Sequence, residues 1–317
     1  MTQTPGTEAA EGTTDRAAIV AQAAAIAGSM WLAAVVNDWL LNQLVPLLQL
    51  GLNDPVPFVV GRYAWSLVLS VAVAALGWWY ARPDIRHQVW WVVGRVLAST
   101  GWLLLGLVVA RFVAELLSSG LSPMLHTGPD PAQGPVGHVL PLVAAGLLIV
   151  LGLVVTRRGP DDRQDPIGAP ALRVAGLGLL GASWTAWVTY QLLLFVVLPL
   201  MRDDLLTDTG AVVQLLLQLG LALVVTVVAF VISTRRQEEG SRVGHVTSGV
   251  MQTVGWALVG ASVYQVVWLV TTFGRDGLRD AGGLGPWGYL IPLATGLVLG
   301  IVGVLAARPR ATSGSTV

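Results

Sequence analysis

This sequence lacks cysteine and lysine, and it has few charges. None of the 317 residues is cysteine or lysine, and only 11% are charged. The absence of cysteine excludes disulfides, thiolate metal sites, iron–sulfur clusters and cysteine nucleophiles. The 18 basic residues are all arginines and are balanced by 18 acidic residues. This neutrality excludes a generally basic nucleic-acid-binding protein, so we expect no nucleic-acid partner.

Long apolar stretches take the place of the missing charge. Hydrophobic residues make up 54% of the chain and the mean hydropathy is +0.70, whereas soluble domains carry about 25% charged residues. A bilayer core needs roughly 20 apolar residues of helix to cross it. Eight stretches reach this length without a polar stripe: about 17–41, 62–81, 91–117, 139–156, 172–198, 212–233, 250–272 and 287–307. We therefore predict an all-α polytopic membrane helical bundle with about eight transmembrane helices.

The arginines predict how this bundle is oriented in the cell membrane. Connections that follow odd-numbered spans hold only Arg62, Arg202, Arg275 and Arg279, whereas 13 arginines lie on the opposite side. Cytoplasmic loops carry the excess of basic residues in membrane proteins. The asymmetry therefore predicts a multi-pass protein of the cell membrane with both termini in the cytoplasm.

A repeated unit organises the eight spans. Each even-numbered span ends in a basic stop, at Arg82, Arg157, Arg235 and Arg308, with spacings of 75, 78 and 73 residues. The odd-numbered spans share a run of small residues before Trp31, Trp102, Trp184 and Val263. We predict four tandem hairpin repeats, 16–82, 90–158, 170–236 and 246–308, between disordered tails at 1–15 and 309–317. Because every unit has two helices, all four copies enter the membrane in the same direction.

The hairpin with its basic stop resembles a domain of unknown function in uncharacterised bacterial multi-pass membrane proteins. In those proteins a two-helix unit ends in an aromatic–basic motif and is found in tandem. The matching residues here are Trp79-Tyr80-Ala81-Arg82 and the later arginine stops. The resemblance implies an architecture and implies no activity.

Two motifs that suggest chemistry have simpler explanations. Gly176-Leu177-Gly178-Leu179-Leu180-Gly181 matches the GxGxxG pattern, but the dinucleotide fingerprint requires a preceding strand. Because these glycines fall inside an apolar span, they predict helix packing. The glutamate pair Glu238-Glu239 could suggest catalysis, but it falls on a predicted cytoplasmic loop, where exposure to solvent is the simpler explanation. The four histidines fall in predicted loops or at interfaces, which disfavours haem ligation between spans. We expect no catalytic residues, no cofactor and no metal site.

Polar residues inside the spans are the remaining candidates for a site. Arg111 and Glu115 lie one helical turn apart, and Arg111 is about 24 Å along its helix from Arg95 at 1.5 Å per residue. That position is in the outer third of the predicted membrane. The full candidate set is a polar cluster in the outer half of the odd-numbered helices: Asp38, Arg111, Glu115, Gln191 and Gln265. Charged residues within spans are rare and costly, so they are functional candidates. The alternative is that these side chains pair locally or extend to the interface.

Three classes of function remain open from the sequence. The leading expectation is a non-enzymatic scaffold, assembly factor or accessory subunit, whose partners are the lipid bilayer and other membrane proteins or further copies of itself. The alternative is a transporter or channel for an ion or small molecule, with the polar cluster along its pathway. A lipid-modifying enzyme ranks third, because it would require a histidine–aspartate or metal cluster. A deep cavity between the hairpins would favour transport, and a solid bundle would favour the scaffold.

Overall fold

The computed structural model describes residues 6–44, 56–81, 89–119, 135–156, 169–194, 209–233, 239–280 and 286–307. These ranges form eight long helices and contain no β-strand, so the predicted all-helical bundle is confirmed. The helices are α1 (Gly6–Trp39), α2 (Val56–Ala81), α3 (Val89–Ser119), α4 (Pro135–Thr156), α5 (Ala169–Leu192), α6 (Thr209–Ser233), α7 (Glu239–Asp280) and α8 (Trp287–Ala307). A π-helical turn, Leu40–Leu44, continues α1.

Within the described residues, seven of these helices are long and apolar enough to cross a membrane; α5, whose described part ends before the last apolar residues of the predicted span 172–198, is not among them. Its described part carries polar side chains that face inward: Ser183 and Thr185 are buried, as is Tyr190. These side chains are shielded from lipid because α5 packs against α3, α6 and α7. The protein is therefore a helical membrane bundle.

Two helix starts differ from the prediction. The first helix begins at Gly6, within the segment 1–15 that was predicted to be a disordered tail. The segment from Thr7 to Arg16 contains two alanines and two glutamates, which favour a helix, so its polarity did not exclude one. Similarly, α7 begins at Glu239 in the predicted loop. The second tail, 309–317, lies outside the described residues.

Helix α7 is interrupted close to the predicted end of the seventh span. Gly274 has φ 64° and ψ −146°, and the helix runs regularly before it. This positive φ is accessible to glycine because it has no Cβ atom. The interruption lies two residues beyond Thr272, where the apolar pattern had predicted the end of the span.

Each odd-numbered helix packs most extensively against the even-numbered helix that follows it. In the first pair, Gly28 lies against Ala74, whereas Gly77 lies against Ala25. The two helices therefore run in opposite directions, as a hairpin requires. In the last pair, Gly255 lies directly against Gly296 and Gly300, so these small residues let α7 and α8 approach closely.

The odd-numbered helices form an inner ring, and the even-numbered helices lie outside it. The ring contacts run from α1 to α3, from α3 to α5, from α5 to α7 and from α7 back to α1. In the most apolar windows of α1, α3 and α7, 67%, 61% and 50% of the residues are buried. The corresponding value is 22% for each of α2, α4, α6 and α8. The even-numbered helices therefore present most of their apolar surface outward, towards lipid.

Small and polar side chains join neighbouring helices of the ring. The Ser29 and Ser99 hydroxyls are 2.8 Å apart, and the Ser183 hydroxyl donates a hydrogen bond to the Leu103 carbonyl at 2.6 Å. These serines belong to the small-residue runs in the first, second and third hairpins. The runs therefore lie where one hairpin meets the next.

The glycines of the GxGxxG pattern make helix contacts, as predicted. Gly176 lies against the Trp102 ring and Gly181 lies against Thr226, whose Cα would be 2.8 Å from an added Cβ. The backbone of α5 is consequently covered by α3 and α6 at these points. The pattern reflects helix packing, since a bound nucleotide would require exposed amides.

The arginine stops of the four hairpins lie outside the described residues, as do the short connections between them. Repeat symmetry and membrane orientation therefore stay predictions based on the sequence. The described packing is compatible with the repeat, since each of the four hairpins places its first helix in the ring.

Candidate functional site

Asp38 lies near the end of α1 and is held by two neutral groups. The Tyr63 hydroxyl on α2 donates a hydrogen bond to Asp38 Oδ2 at 2.6 Å. The Asn42 amide, one turn further along the chain, donates to Asp38 Oδ1. The π-helical turn that contains Asn42 directly follows α1. The carboxylate is therefore positioned by its own helix and by the second helix of the first hairpin.

A pocket of about 210 Å³ lies between the four ring helices at this level. Because these helices run parallel, their residues at equal depth meet around one space. The lining residues are Met30, Ala34 and Asp38 from α1, Leu107 from α3, Trp187 and Tyr190 from α5, and Ala261, Tyr264, Gln265 and Trp268 from α7. The pocket is partly open and mostly apolar, with one carboxylate and one amide among its polar groups.

The bundle is closed beneath this pocket. Met30, Leu103, Leu104 and Leu258 have no exposed surface and belong to one continuous core cluster contributed largely by the ring helices. Protein interiors packed in this way leave few voids as large as a water molecule. In this conformation the pocket is therefore a recess at one end of the bundle, with a packed apolar layer at its base.

Arg111 and Glu115 form a second polar group, between α3 and α4. Arg111 Nε donates to Glu115 Oε1 at 3.0 Å, and His138 Nε2 lies 2.6 Å from Glu115 Oε2. The exposed fractions of these side chains are 23%, 19% and 12% for Arg111, Glu115 and His138. The predicted Arg111–Glu115 pair is confirmed. Asp38 bonds to Asn42 and Tyr63, and His138 is a further partner of Glu115.

The five predicted polar residues therefore do not form one cluster. Asp38 and Gln265 line the central pocket, whereas Arg111 and Glu115 lie at the α3–α4 contact. Gln191 is partly buried on α5 and is not among the pocket-lining residues, although its neighbour Tyr190 is. The predicted residues lie at similar depths along their helices, but they do not all face the centre of the ring, and this difference in direction separates them.

Sequence reasoning missed the aromatic residues of the pocket. Trp187 and Tyr190 are stacked, with ring centroids 6.1 Å apart and planes at 16°. Their spacing of three residues, like that of Tyr264 and Trp268 at four, places each pair on one helix face. This spacing could have indicated an aromatic face on each helix, but aromatic residues in apolar spans are ordinarily part of the core.

His138 was also assigned to a loop or interface, and the structure places it within α4. Its ring makes an edge-on contact with Phe112, at 6.3 Å between centroids. His138 Nδ1 is buried without a hydrogen-bond partner among the described residues. No sequence pattern links His138 to Glu115, because the contact depends on how α3 and α4 pack.

The electrostatic character of the two polar groups differs. Arg111 stays positively charged in proteins, so with the Glu115 carboxylate it forms an approximately neutral pair. The Asp38 carboxylate has only neutral hydrogen-bond partners within the part of the chain that the structure describes. Asp38 is the one acidic or basic side chain among the described residues that line the pocket. Among the same residues, no group of three or more metal-ligating side chains occurs.

A scan against protein-family models, a search of curated proteins and a search of solved structures each find no match. The class of protein is therefore defined by the structure itself: a helical membrane bundle with an inner ring of four helices. Its distinguishing feature is the aromatic pocket beside Asp38.

Proposed function

We propose that this chain is a non-enzymatic integral membrane protein that acts as a scaffold, assembly factor or accessory subunit. The observation that carries the proposal is the closed core, in which Met30, Leu103, Leu104 and Leu258 are fully buried across the ring. A bundle packed in this way presents a defined surface to partners and offers no continuous polar pathway.

Close helix contacts further support a rigid scaffold. Gly28, Gly152 and Gly255 each lie against the backbone of the other helix in their hairpin. Small residues that let helix backbones approach closely stabilise helix association in membranes. The scaffold would therefore keep its shape while its outer helices contact lipid or other membrane proteins.

The scaffold proposal is tested in native membranes. The tagged chain is extracted with a mild detergent, and its complexes are analysed by native electrophoresis and mass spectrometry. We expect another membrane protein, or further copies of this chain, at fixed stoichiometry. Deleting the chain should reduce the assembled form of a foreign partner several-fold. A solitary chain, with no complex altered by the deletion, would contradict the proposal.

We further propose eight membrane spans in the cell membrane with both termini in the cytoplasm. The arginine asymmetry supports this orientation, because basic residues are retained on the cytoplasmic side. Reporter fusions after residues near 50, 128, 205 and 280 should show exposure on the outer side, and fusions near 86, 162 and 238 should be cytoplasmic. A cytoplasmic signal at any of the first four positions would disprove the topology.

Transport is the second candidate function, because Asp38 and Gln265 meet in the central pocket. Transporters hold substrates between helices that can open alternately to the two sides. The scaffold proposal predicts that liposomes containing the protein pass protons, potassium and chloride no faster than protein-free liposomes. Flux that the Asp38→Asn variant abolishes would favour transport instead.

A further inference from the structure

The central pocket combines aromatic rings with one carboxylate. Trp187, Tyr190, Tyr264 and Trp268 contribute rings, and Asp38 contributes the charge. They come from three different ring helices, so only the folded bundle brings them together. Gln265 adds an amide, and the remaining lining side chains are aliphatic or methionine.

We propose that this pocket binds a small organic monocation of the methylated ammonium class. Aromatic faces attract cations through the ring quadrupole, most strongly for tryptophan, and cages of such rings recognise quaternary ammonium groups. The Asp38 carboxylate supplies the opposite charge at the same site. A ligand that is both cationic and covered with methyl groups satisfies the rings and the carboxylate together.

The hydrogen bonds of Asp38 support a cationic ligand. Its two partners, Asn42 and Tyr63, position the carboxylate without cancelling its charge. Asp38 is partly buried, where an opposite charge interacts more strongly than it does in bulk water. Bound anions would be repelled by the same group, so the pocket discriminates by the sign of charge.

The lining disfavours a hard inorganic cation. Calcium takes six to eight oxygen ligands, and magnesium requires near-octahedral oxygen coordination. The pocket contains a single carboxylate and one side-chain amide, and most of its lining surface is carbon. An organic cation replaces the missing oxygen ligands by contacts between its methyl groups and the aromatic rings.

The size of the pocket limits the ligand. Its volume of about 210 Å³ exceeds that of an engineered cavity of about 150 Å³ that holds benzene. It is smaller than the roughly 300–1,000 Å³ of sites for drug-sized ligands. The space therefore suits a tetramethylammonium or choline group. That group could belong to a free solute or to a phospholipid headgroup, because the pocket lies near one end of the bundle.

This inference goes beyond the scaffold proposal and does not depend on it. A complex with partner proteins can form whether or not the pocket is occupied, and ligand binding can occur in a chain that has no partner. The native-membrane experiment and the binding experiment can therefore fail separately.

The test uses the full chain, purified in a maltoside detergent that lacks ammonium groups. Choline and its neutral carbon analogue, 3,3-dimethylbutan-1-ol, are titrated by calorimetry. Because the two molecules have nearly the same shape, a difference in affinity reports the charge. We expect saturable binding of choline that is at least tenfold tighter than that of the alcohol. Equal affinities, or no saturable choline binding up to tens of millimolar, would overturn the proposal.

Variants locate the binding site. Asp38→Asn keeps the size of the side chain and should weaken choline binding about tenfold or more, while binding of the neutral alcohol changes little. Trp187→Leu should weaken choline binding several-fold. The matched control is Trp65→Leu, because Trp65 is 69% exposed on α2 and does not line the pocket. Equal choline affinity in Asp38→Asn and the unmodified protein would overturn the assignment to this pocket.

Folding of each variant is checked by its thermal unfolding in the same detergent. If Asp38→Asn does not fold, the comparison of choline with its neutral analogue in the unmodified protein still decides the proposal.

The two sources of the ligand are distinguished in nanodiscs. Choline binding is compared between nanodiscs of phosphatidylcholine and nanodiscs of a neutral glycolipid. A several-fold weaker apparent affinity in phosphatidylcholine would indicate that lipid headgroups compete for the pocket. Equal saturable binding in both lipids would indicate that a free solute is the natural ligand.

Discussion

Replacing Gly28 by valine should cause one of the largest losses of stability in this protein. A Cβ atom at position 28 would lie 2.8 Å from Ala74 Cα and 2.9 Å from the Val73 carbonyl carbon. These are backbone atoms of α2, so no side-chain rotation can relieve the contact and the two helices must separate. Overpacking typically costs about 1–3 kcal/mol, and a clash against backbone should reach or exceed the upper value.

Thermal unfolding in detergent measures this effect. A loss of about 3 kcal/mol corresponds to a fall in Tm of about 6–12 °C, by analogy with soluble domains of somewhat smaller size. The matched control is Gly146→Val on α4, because an added Cβ there would meet no atom within 4 Å. We expect the control to unfold within about 2 °C of the unmodified protein. Equal losses in the two variants would show that helix propensity, rather than the close contact, controls stability.

Removing the carboxylate of Glu115 should be comparably destabilising. The change Glu115→Leu leaves the Arg111 guanidinium without its 3.0 Å partner and removes the 2.6 Å contact to His138. Breaking a buried ion pair by removing one member typically costs about 3–5 kcal/mol. Because both side chains keep about a fifth of their surface exposed, we expect a loss of about 3 kcal/mol, at the lower end of that range.

The interaction is isolated by a double-mutant cycle. Arg111→Leu and Glu115→Leu should each lower the unfolding temperature, and the double variant should be less destabilised than the sum of the two. The double variant removes both charges, so neither is left in the bundle without the other. Strictly additive effects would mean that Arg111 is stabilised by reaching the membrane interface and gains little from Glu115.

The sequence by itself determined the class of fold. Lipid cannot hydrogen-bond to the backbone, so an apolar stretch of about 20 residues must satisfy its own amides as a helix. The span 139–156, for example, was predicted from composition alone and falls within α4, Pro135–Thr156. The Arg111–Glu115 pair was also predictable, because residues four apart on one helix are neighbours whatever surrounds them.

Two helices begin outside the apolar pattern. The start of α1 at Gly6 and that of α7 at Glu239 lie in polar segments that the apolar pattern could not include. Hydropathy identifies what can enter a membrane, whereas a helix can continue beyond the bilayer wherever its residues favour that conformation.

Only the tertiary structure decided which polar residues meet. The described spans are apolar around most of their circumference, so no stripe in the sequence shows which face turns inward. The rotation of each helix brought Asp38 to Tyr63 and Gln265 to the central pocket, while it placed Glu115 beside His138 on another side of α3. Asp38 and Tyr63, like Glu115 and His138, are more than 20 residues apart in the chain, on the two helices of one hairpin, whereas the pocket also requires packing between hairpins. The sequence therefore determined the helices and the Arg111–Glu115 pair, and packing among the helices made the central pocket and the contact between Glu115 and His138.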